Sequence, residues 1–333
     1  MDPTTPMPPE FHDPLFVVNP KIPCPTCGGG RKERKNCQFC LGGGFLPVNI
    51  NGLWWPSAGF LVCGGPSVNK IAFQRLMERG IVSLAVNNVA GHVPVSAWCF
   101  SDPQSKFHHG VHLDPKCLTF SPIPKLRKNI VVKLPNGKFK ATTIRVMDCP
   151  GVFGISRSGT FDAKSFLTTP YAQWGRGGKQ PEDNKPFTIL ETMLIGLRLM
   201  HYLGCPRVYM LGVDHNMTTE QPYAFNQAKG GRNGRYVKAN AMLKELRPVF
   251  ESANFKVFNC NQESKCDAFD FVPFDKALED CRGAVPLEPF DLSGWYDKGD
   301  VEKDIEADPR PMTLDQLRSQ NVPASQPTDI PKP

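Results

Sequence analysis

An α/β fold, with a mostly parallel sheet covered by helices on both faces, is predicted by three features of this 333-residue chain. Short apolar runs bounded by glycine, proline or asparagine recur, as buried strands do. Stretches with helical spacing separate them, and strand–helix alternation favours parallel pairing. The first run, Gly59 to Cys63, ends in two glycines, then Pro66-Ser67, then a helical pattern.

The elements follow in order. Gly59 to Cys63 predicts the first core strand. Val68 to Arg79 places Ile71, Leu76 and Met77 at helical spacing and stops at Gly80. Ile81 to Val86 and Val95 to Phe100 predict two more strands. Asn129 to Leu134 and Lys138 to Met147 flank Pro135-Asn136-Gly137, a strong hairpin signal. Pro186 to Leu203 is apolar nearly all round and predicts a buried helix. Arg207 to Leu211 predicts another core strand. Arg235 to Phe250 is amphipathic, with a kink expected at Pro248, and Phe255 to Phe258 predicts a late strand. Two long stretches, Gly151 to Lys185 and His215 to Gly234, are read as irregular loops. Both follow apparent strands, where open α/β sheets bind ligands.

Composition bounds the rest. Forty per cent apolar and 21% charged residues exclude a disordered chain, a coiled coil and a collagen. The apolar stretch Met193 to Leu203 is interrupted by Arg198 and is too short for a transmembrane span. No basic-then-apolar leader opens the chain, so a cytoplasmic location is expected. Net charge is +7, which allows an anionic partner without demanding one. Four parts are expected: a proline-rich lead (1–20), a cysteine- and glycine-rich module (21–46), the α/β domain (55–290) and a tail (291–333).

Four of the twelve cysteines cluster as Cys24-Pro-Thr-Cys27 and Cys37-Gln-Phe-Cys40. Four soft thiolates suit tetrahedral zinc, and the glycines after each pair allow the tight turns of a knuckle. The pattern resembles the CxxCxGxG knuckles of DnaJ-type chaperones, with repeats enough for one structural zinc. Arg31, Lys32, Arg34 and Lys35 on its loop form a basic patch that suits DNA or RNA phosphates, or simply a solvated loop. The remaining cysteines are expected to be reduced, mostly buried thiols. Trp54-Trp55, joining the module to the first strand, reads as a packing hinge.

The segment Leu61-Val-Cys63-Gly64-Gly65-Pro66-Ser67 carries the ligand signal. Its glycines allow close backbone approach, and Ser67 can cap the next helix, whose N-terminus favours an anion. It is neither the dinucleotide GxGxxG nor a Walker loop. Asn87 follows the second strand, Asp102-Pro103 follows the third, and Leu203-Gly204 leads into Val208-Tyr-Met-Leu-Gly212-Val-Asp214. Phe258-Asn259 and Ser264 then precede Phe271-Val-Pro. In this order the motifs resemble a family of bacterial sialyltransferases and the related 6-hydroxymethylpterin pyrophosphokinase-like proteins, over residues 59 to about 282. The resemblance implies a Rossmann-like fold and a nucleotide ligand: a CMP-sugar in the former, ATP with magnesium in the latter. Carried over, Gly64, Gly65, Pro66 and Ser67 form the phosphate turn, and Asn87 and Asp102 contact nucleotide or metal. Asp214 binds metal or orients a base, and Asn259 sits near base or ribose. The chain departs from the family in three places. The family's turn asparagine is missing at Cys63-Gly64-Gly65, its Ser-Ser-Gly aligns near Glu191-Thr192-Met193, and its late Tyr-and-His loop has no clear counterpart.

A transferase needs a general base and cations for the leaving phosphate. Asp214-His215 is the candidate acid–base pair, with the carboxylate expected to raise the histidine's pKa. Arg157, Arg176, Arg232 and Arg235 lie in or beside the long loops as candidate phosphate clamps. His108, His109, His112 and Asp114 form a second candidate metal cluster, against which Gly110 interrupts any helix. The reading is a nucleotide-dependent transferase moving a glycosyl or pyrophosphoryl group. The alternatives are a nucleic-acid-associated zinc protein, including one that modifies nucleic acid, and a nucleotide-binding protein without catalysis.

Overall fold

The computed structural model describes residues 50–114, 116–134, 136–149, 151–179, 186–216, 223–225 and 233–282, with three two-residue strands ahead of them. Those strands are β1 (Val17–Val18), β2 (Ile22–Pro23) and β3 (Phe45–Leu46). The zinc knuckle with Cys24, Cys27, Cys37 and Cys40, its basic loop, Arg232 and the tail lie outside the described residues.

The central sheet is built from β4 (Gly59–Val62), β5 (Val82–Val86), β6 (Ala97–Cys99), β7 (Leu118–Pro122), β10 (Val152–Ile155), β15 (Arg207–Leu211) and β16 (Lys256–Asn259). Its order is β1-β10-β7-β6-β5-β4-β15-β16. All neighbours pair in parallel except β1, which lies antiparallel on β10. The predicted mostly parallel α/β sheet is therefore present. From β4 the chain moves strand by strand toward β10. It then returns to lay β15 on the other side of β4, so the order reverses between β4 and β15.

Alternation along each strand feeds two cores, one on each face. Leu61, Leu84, Cys99 and Met210 face one side, against α2 (Thr192–Tyr202) and α3 (Asn233–Ser252). Phe60, Ala85, Trp98 and Tyr209 face the other, with α4 (Phe274–Arg282) and the hairpin β8 (Asn129–Lys133) and β9 (Phe139–Arg145). Every residue of α2 is buried. Gly196 brings it close, because a Cβ there would meet Leu61 Cδ1 at 2.6 Å. Trp54 is 3% exposed, and its N–H bonds the Leu203 carbonyl at 2.6 Å, so the segment before β4 closes the end of α2. Trp54 thus serves packing, while the module the tryptophan pair was expected to join lies outside the described residues.

Four expectations are corrected. The helix expected over Val68 to Arg79 is two 3-10 pieces, Pro66–Lys70 and Phe73–Met77. Val68, Asn69 and Ile71 are weak helix formers, and Ile71 itself is extended. The buried helix expected from Pro186 begins only at Thr192. Residues before it form β14 (Pro186–Leu190), paired antiparallel with β13 (Gly175–Lys179). A short apolar run does not by itself separate strand from helix. The stretch from Gly151, read as irregular, supplies β10 to the sheet and the pair β11 (Arg157–Ser158) and β12 (Ala172–Gln173). A one-turn helix, α1 (His109–His112), runs through Gly110, which does not interrupt it as expected, yet the histidine cluster does not gather on one face. His112, 1% exposed, lies edge-on to Trp98 and Phe100, while His108 and His109 stack on each other outside. In addition, α3 runs through Pro248 to Ser252. Among the described residues no helix is long and apolar enough to cross a membrane.

Candidate functional site

Where strand order reverses, the loops after the two flanking strands diverge and leave a crevice at the sheet's carboxyl edge. Here the loop after β4 is Cys63-Gly64-Gly65 and the loop after β15 is Gly212-Val213-Asp214. They remain joined at their base. Cys63 N–H bonds the Leu211 carbonyl, and Gly65 N–H the Gly212 carbonyl, each at 2.8 Å. Glycine is required on both sides. A Cβ on Gly65 would lie 2.5 Å from Gly212 O, and one on Gly212, at φ +65°, would lie 2.2 Å from Cys63 O. Gly64 is different: a Cβ there would meet only Val89 and Tyr223 side chains, at 3.8 and 3.9 Å. Its position in the turn is open toward the crevice.

A cavity of about 460 Å³ occupies that crevice. Its floor is Cys63, Gly64, Gly65, Gly212 and Asp214. One wall carries Asn87, Ser101, Asp102 and Lys106 from the loops after β5 and β6. An adjoining wall carries Glu191, Thr192 and Met193 at the start of α2, with Trp174, His215, Tyr223, Arg235 and Tyr236.

Asp214 is a structural node of this site. Its carboxylate accepts from Ser67 N–H at 2.8 Å, from Ser67 Oγ through a short bond, and from Asn261 Nδ2 at 2.8 Å. It thus fixes the start of the 3-10 helix that Pro66 and Ser67 open. The sequence suggested for Asp214 a role toward metal, base or proton transfer alone. The structure indicates a cost as well, since Asp214→Ala leaves the Ser67 N–H without its acceptor. We expect it to lower stability by about 1–3 kcal/mol, read from the denaturant midpoint. A midpoint equal to wild type would deny this bracing role.

The titratable groups are set by burial. The Glu191 carboxyl is pushed up to about 7 by desolvation, against a weaker downward pull from Arg235, whose guanidinium is 4.0 Å away. His215 was expected to be raised by its carboxylate neighbour, but burial wins and lowers it to about 4. It is therefore a neutral imidazole at pH 7, stacked on Tyr236 with centroids 5.2 Å apart and its Nδ1 buried without a partner among the described residues. Burial first, then Tyr223 and Glu191, raise the Tyr236 hydroxyl, so it stays protonated.

No protein-family model matches this chain, and no curated protein matches it in sequence. Two solved structures resemble it. One is the MAf glycosyltransferase from Magnetospirillum magneticum AMB-1, 12% identical, over 79% of this chain and 39% of that one, with a TM-score of 0.38. This chain thus spans about two fifths of that protein's length. The other is the sialyltransferase CstII from Campylobacter jejuni, in complex with a substrate analogue, cytidine-5'-monophosphate. It is 11% identical, over 75% of this chain and 98% of that one, with a TM-score of 0.32.

The structure brings together Gly64, Gly65, Asn87, Asp102, Asp214 and His215 in one cavity. Asn87, at φ 50°, spends its side chain on bracing: Oδ1 accepts from Ser101 N–H at 2.9 Å and Nδ2 donates to Thr192 Oγ1 at 3.0 Å. Asp102 pairs with Lys106 at 3.1 Å. Asn259 sits behind the cavity, 2% exposed, donating to the Val213 carbonyl at 3.2 Å. It is not among the residues lining the cavity. Pro66 and Ser67 stand under the turn, outside the lining. Among the described residues no three His, Cys, Asp or Glu side chains gather around a metal position. Sequence reasoning missed Glu191, Trp174, Tyr223 and Tyr236. The available signal was Glu191 itself, an acid set directly before a helix apolar nearly all round.

Proposed function

We propose that the cavity binds a nucleotide-sugar and that the chain transfers its glycosyl group to an acceptor hydroxyl. The observation that carries this reading is the Gly64 turn, a side-chain-free backbone facing a cavity at the switch point of a parallel sheet. Such a turn lets a phosphate approach the main chain. The ordered motifs from Gly64 to Asp214 support the same reading. Trp174, Tyr223 and Tyr236 add aromatic faces of the kind on which sugars and bases stack. Pyrophosphoryl transfer from a nucleoside triphosphate is the second reading, favoured by the same turn.

The chemistry assigned to the residues is as follows. Glu191, with a carboxyl matched to neutral pH, accepts the proton of the acceptor hydroxyl. The acceptor oxygen bonds the anomeric carbon as the bond to the donor phosphate breaks, and the phosphate leaves with the electron pair. Tyr236, protonated at neutral pH, donates a hydrogen bond to that oxyanion. His215 holds the Tyr236 ring by stacking. Magnesium, if used, arrives with the donor's phosphates. Structural zinc on Cys24, Cys27, Cys37 and Cys40 belongs to the same proposal. The DNA or RNA alternative rests on Arg31, Lys32, Arg34 and Lys35, outside the described residues.

The test is Gly64→Ala. The added methyl meets no atom closer than 3.8 Å, so the melting temperature should stay within about 2 °C of wild type. Affinity for the nucleotide found in a thermal-shift panel, with and without magnesium, should fall at least ten-fold, because the methyl occupies the phosphate's approach. Full retention of nucleotide binding in this variant sinks the turn as a ligand site.

A further inference from the structure

Behind the cavity lining at Trp174 and Ser101 lie two cations without a carboxylate partner among the described residues, Arg157 and Lys125. Arg157 opens β11, directly after β10. Its guanidinium lies 4.0 Å above the Trp174 ring, and Trp174 lines the cavity. The Nη1 atom is buried with no hydrogen-bond partner, and among the described residues Arg157 makes no ion pair. Lys125 lies close by. Its ammonium donates to the Ser101 carbonyl at 2.5 Å and to the Asp102 carbonyl, directly beneath the cavity wall. Burial first, then Arg157, lower the Lys125 pKa to about 8, as expected for cations crowded together. Lys106, on the wall, is already paired with Asp102. Of these three cations only Lys106 has a carboxylate partner among the described residues, while Glu191, beside Trp174, lies 4.0 Å from Arg235.

A partly buried guanidinium without an acceptor is costly, and its planar fork suits a carboxylate or phosphate. We propose that Arg157, backed by Lys125 and Lys106, forms an oxyanion subsite at the Trp174 wall, which takes a carboxylate or phosphate on the sugar side of the substrate. The inference deepens the nucleotide-sugar reading and rests on it for the identity of the substrate, while the subsite is testable alone.

The experiment titrates the full chain with glucuronate, inorganic phosphate and glucose, following melting temperature and binding heat. Wild type, Arg157→Gln and Arg157→Lys are compared. At least one oxyanion should bind wild type with glucose inert. Its affinity should fall at least ten-fold in Arg157→Gln and less in Arg157→Lys, which keeps the charge and loses the fork. Glucuronate alone assigns the subsite to a sugar acid, and phosphate alone to a phosphoryl group. The subsite is refuted if neither oxyanion binds wild type, if glucose binds as well as glucuronate, or if Arg157→Gln binds unchanged. Nucleotide shifts are scored separately. A chain that binds no nucleotide but keeps Arg157-dependent oxyanion binding loses the transferase reading and retains the subsite.

Discussion

Replacing Glu191 by glutamine should abolish transfer and yet stabilise the protein at alkaline pH. Loss of a general base lowers turnover by about 10²–10⁴-fold. The stability effect follows from linkage. The folded-state pKa is raised to about 7 from an ordinary 4.5. Between those values the folded state holds a proton that the unfolded chain has released, so stability falls as pH rises from 4.5 to 7 and stays low above. Glutamine is neutral throughout and has the same shape. At pH 4 the two proteins should melt together. At pH 8 the variant should gain up to about 3 kcal/mol, at 1.36 kcal/mol per pKa unit, less whatever the Arg235 contact contributed. Paired melting curves at pH 4 and pH 8, with turnover on the donor found by the thermal panel, make the check. Retained turnover would remove Glu191 from the chemistry, and equal melting at pH 8 would deny that its charge is buried.

The second large effect is on folding. Gly212→Ala combines two penalties at one residue: a backbone at φ +65°, and a Cβ placed 2.2 Å from the Cys63 carbonyl oxygen. The oxygen belongs to the main chain leaving the central strand and has little room to yield. Strain and overpacking of this kind cost about 1–3 kcal/mol each, so a loss of more than about 3 kcal/mol is expected. The contrast with Gly64→Ala is the informative part, because the two glycines are both in the cavity lining. One should cost the ligand and the other the fold. A Gly212→Ala protein that melts like wild type would show that the two loops are not held together as described.

Much of the fold was legible because parallel strands are buried on both faces and show as apolar runs. Gly59 to Cys63, Ile81 to Val86 and Arg207 to Leu211 were readable in this way. Two strands were harder to read, for one cause. Leu118–Pro122 and Val152–Ile155 are short strands with serine, proline or glycine among them, and their place depends on neighbours far away in sequence. The residues before α2 are apolar in a manner that suits helix or strand, and only pairing with β13 decides. At the site, the glycine turn and Asp214 were visible as motifs. The behaviour of the ionisable groups was not. Sequence placed a carboxylate beside His215 and suggested a raised pKa, whereas enclosure by Tyr236 and the cavity wall lowers it. Glu191 was passed over because its raised pKa comes from desolvation, which no local pattern records.

The pairing of β4 with β15 has a consequence for how the protein is made. Gly59 and Val208 are register partners where the strand order reverses. Until residues 207–211 have emerged from the ribosome, β4 is an open edge of apolar residues and the cavity has only one of its two floor loops. No ligand of the cavity can assist folding during synthesis of the first two hundred residues, because the cavity does not yet exist. Loop closure over so long a separation also makes this junction a late step. Until then that edge is open to pairing with another chain.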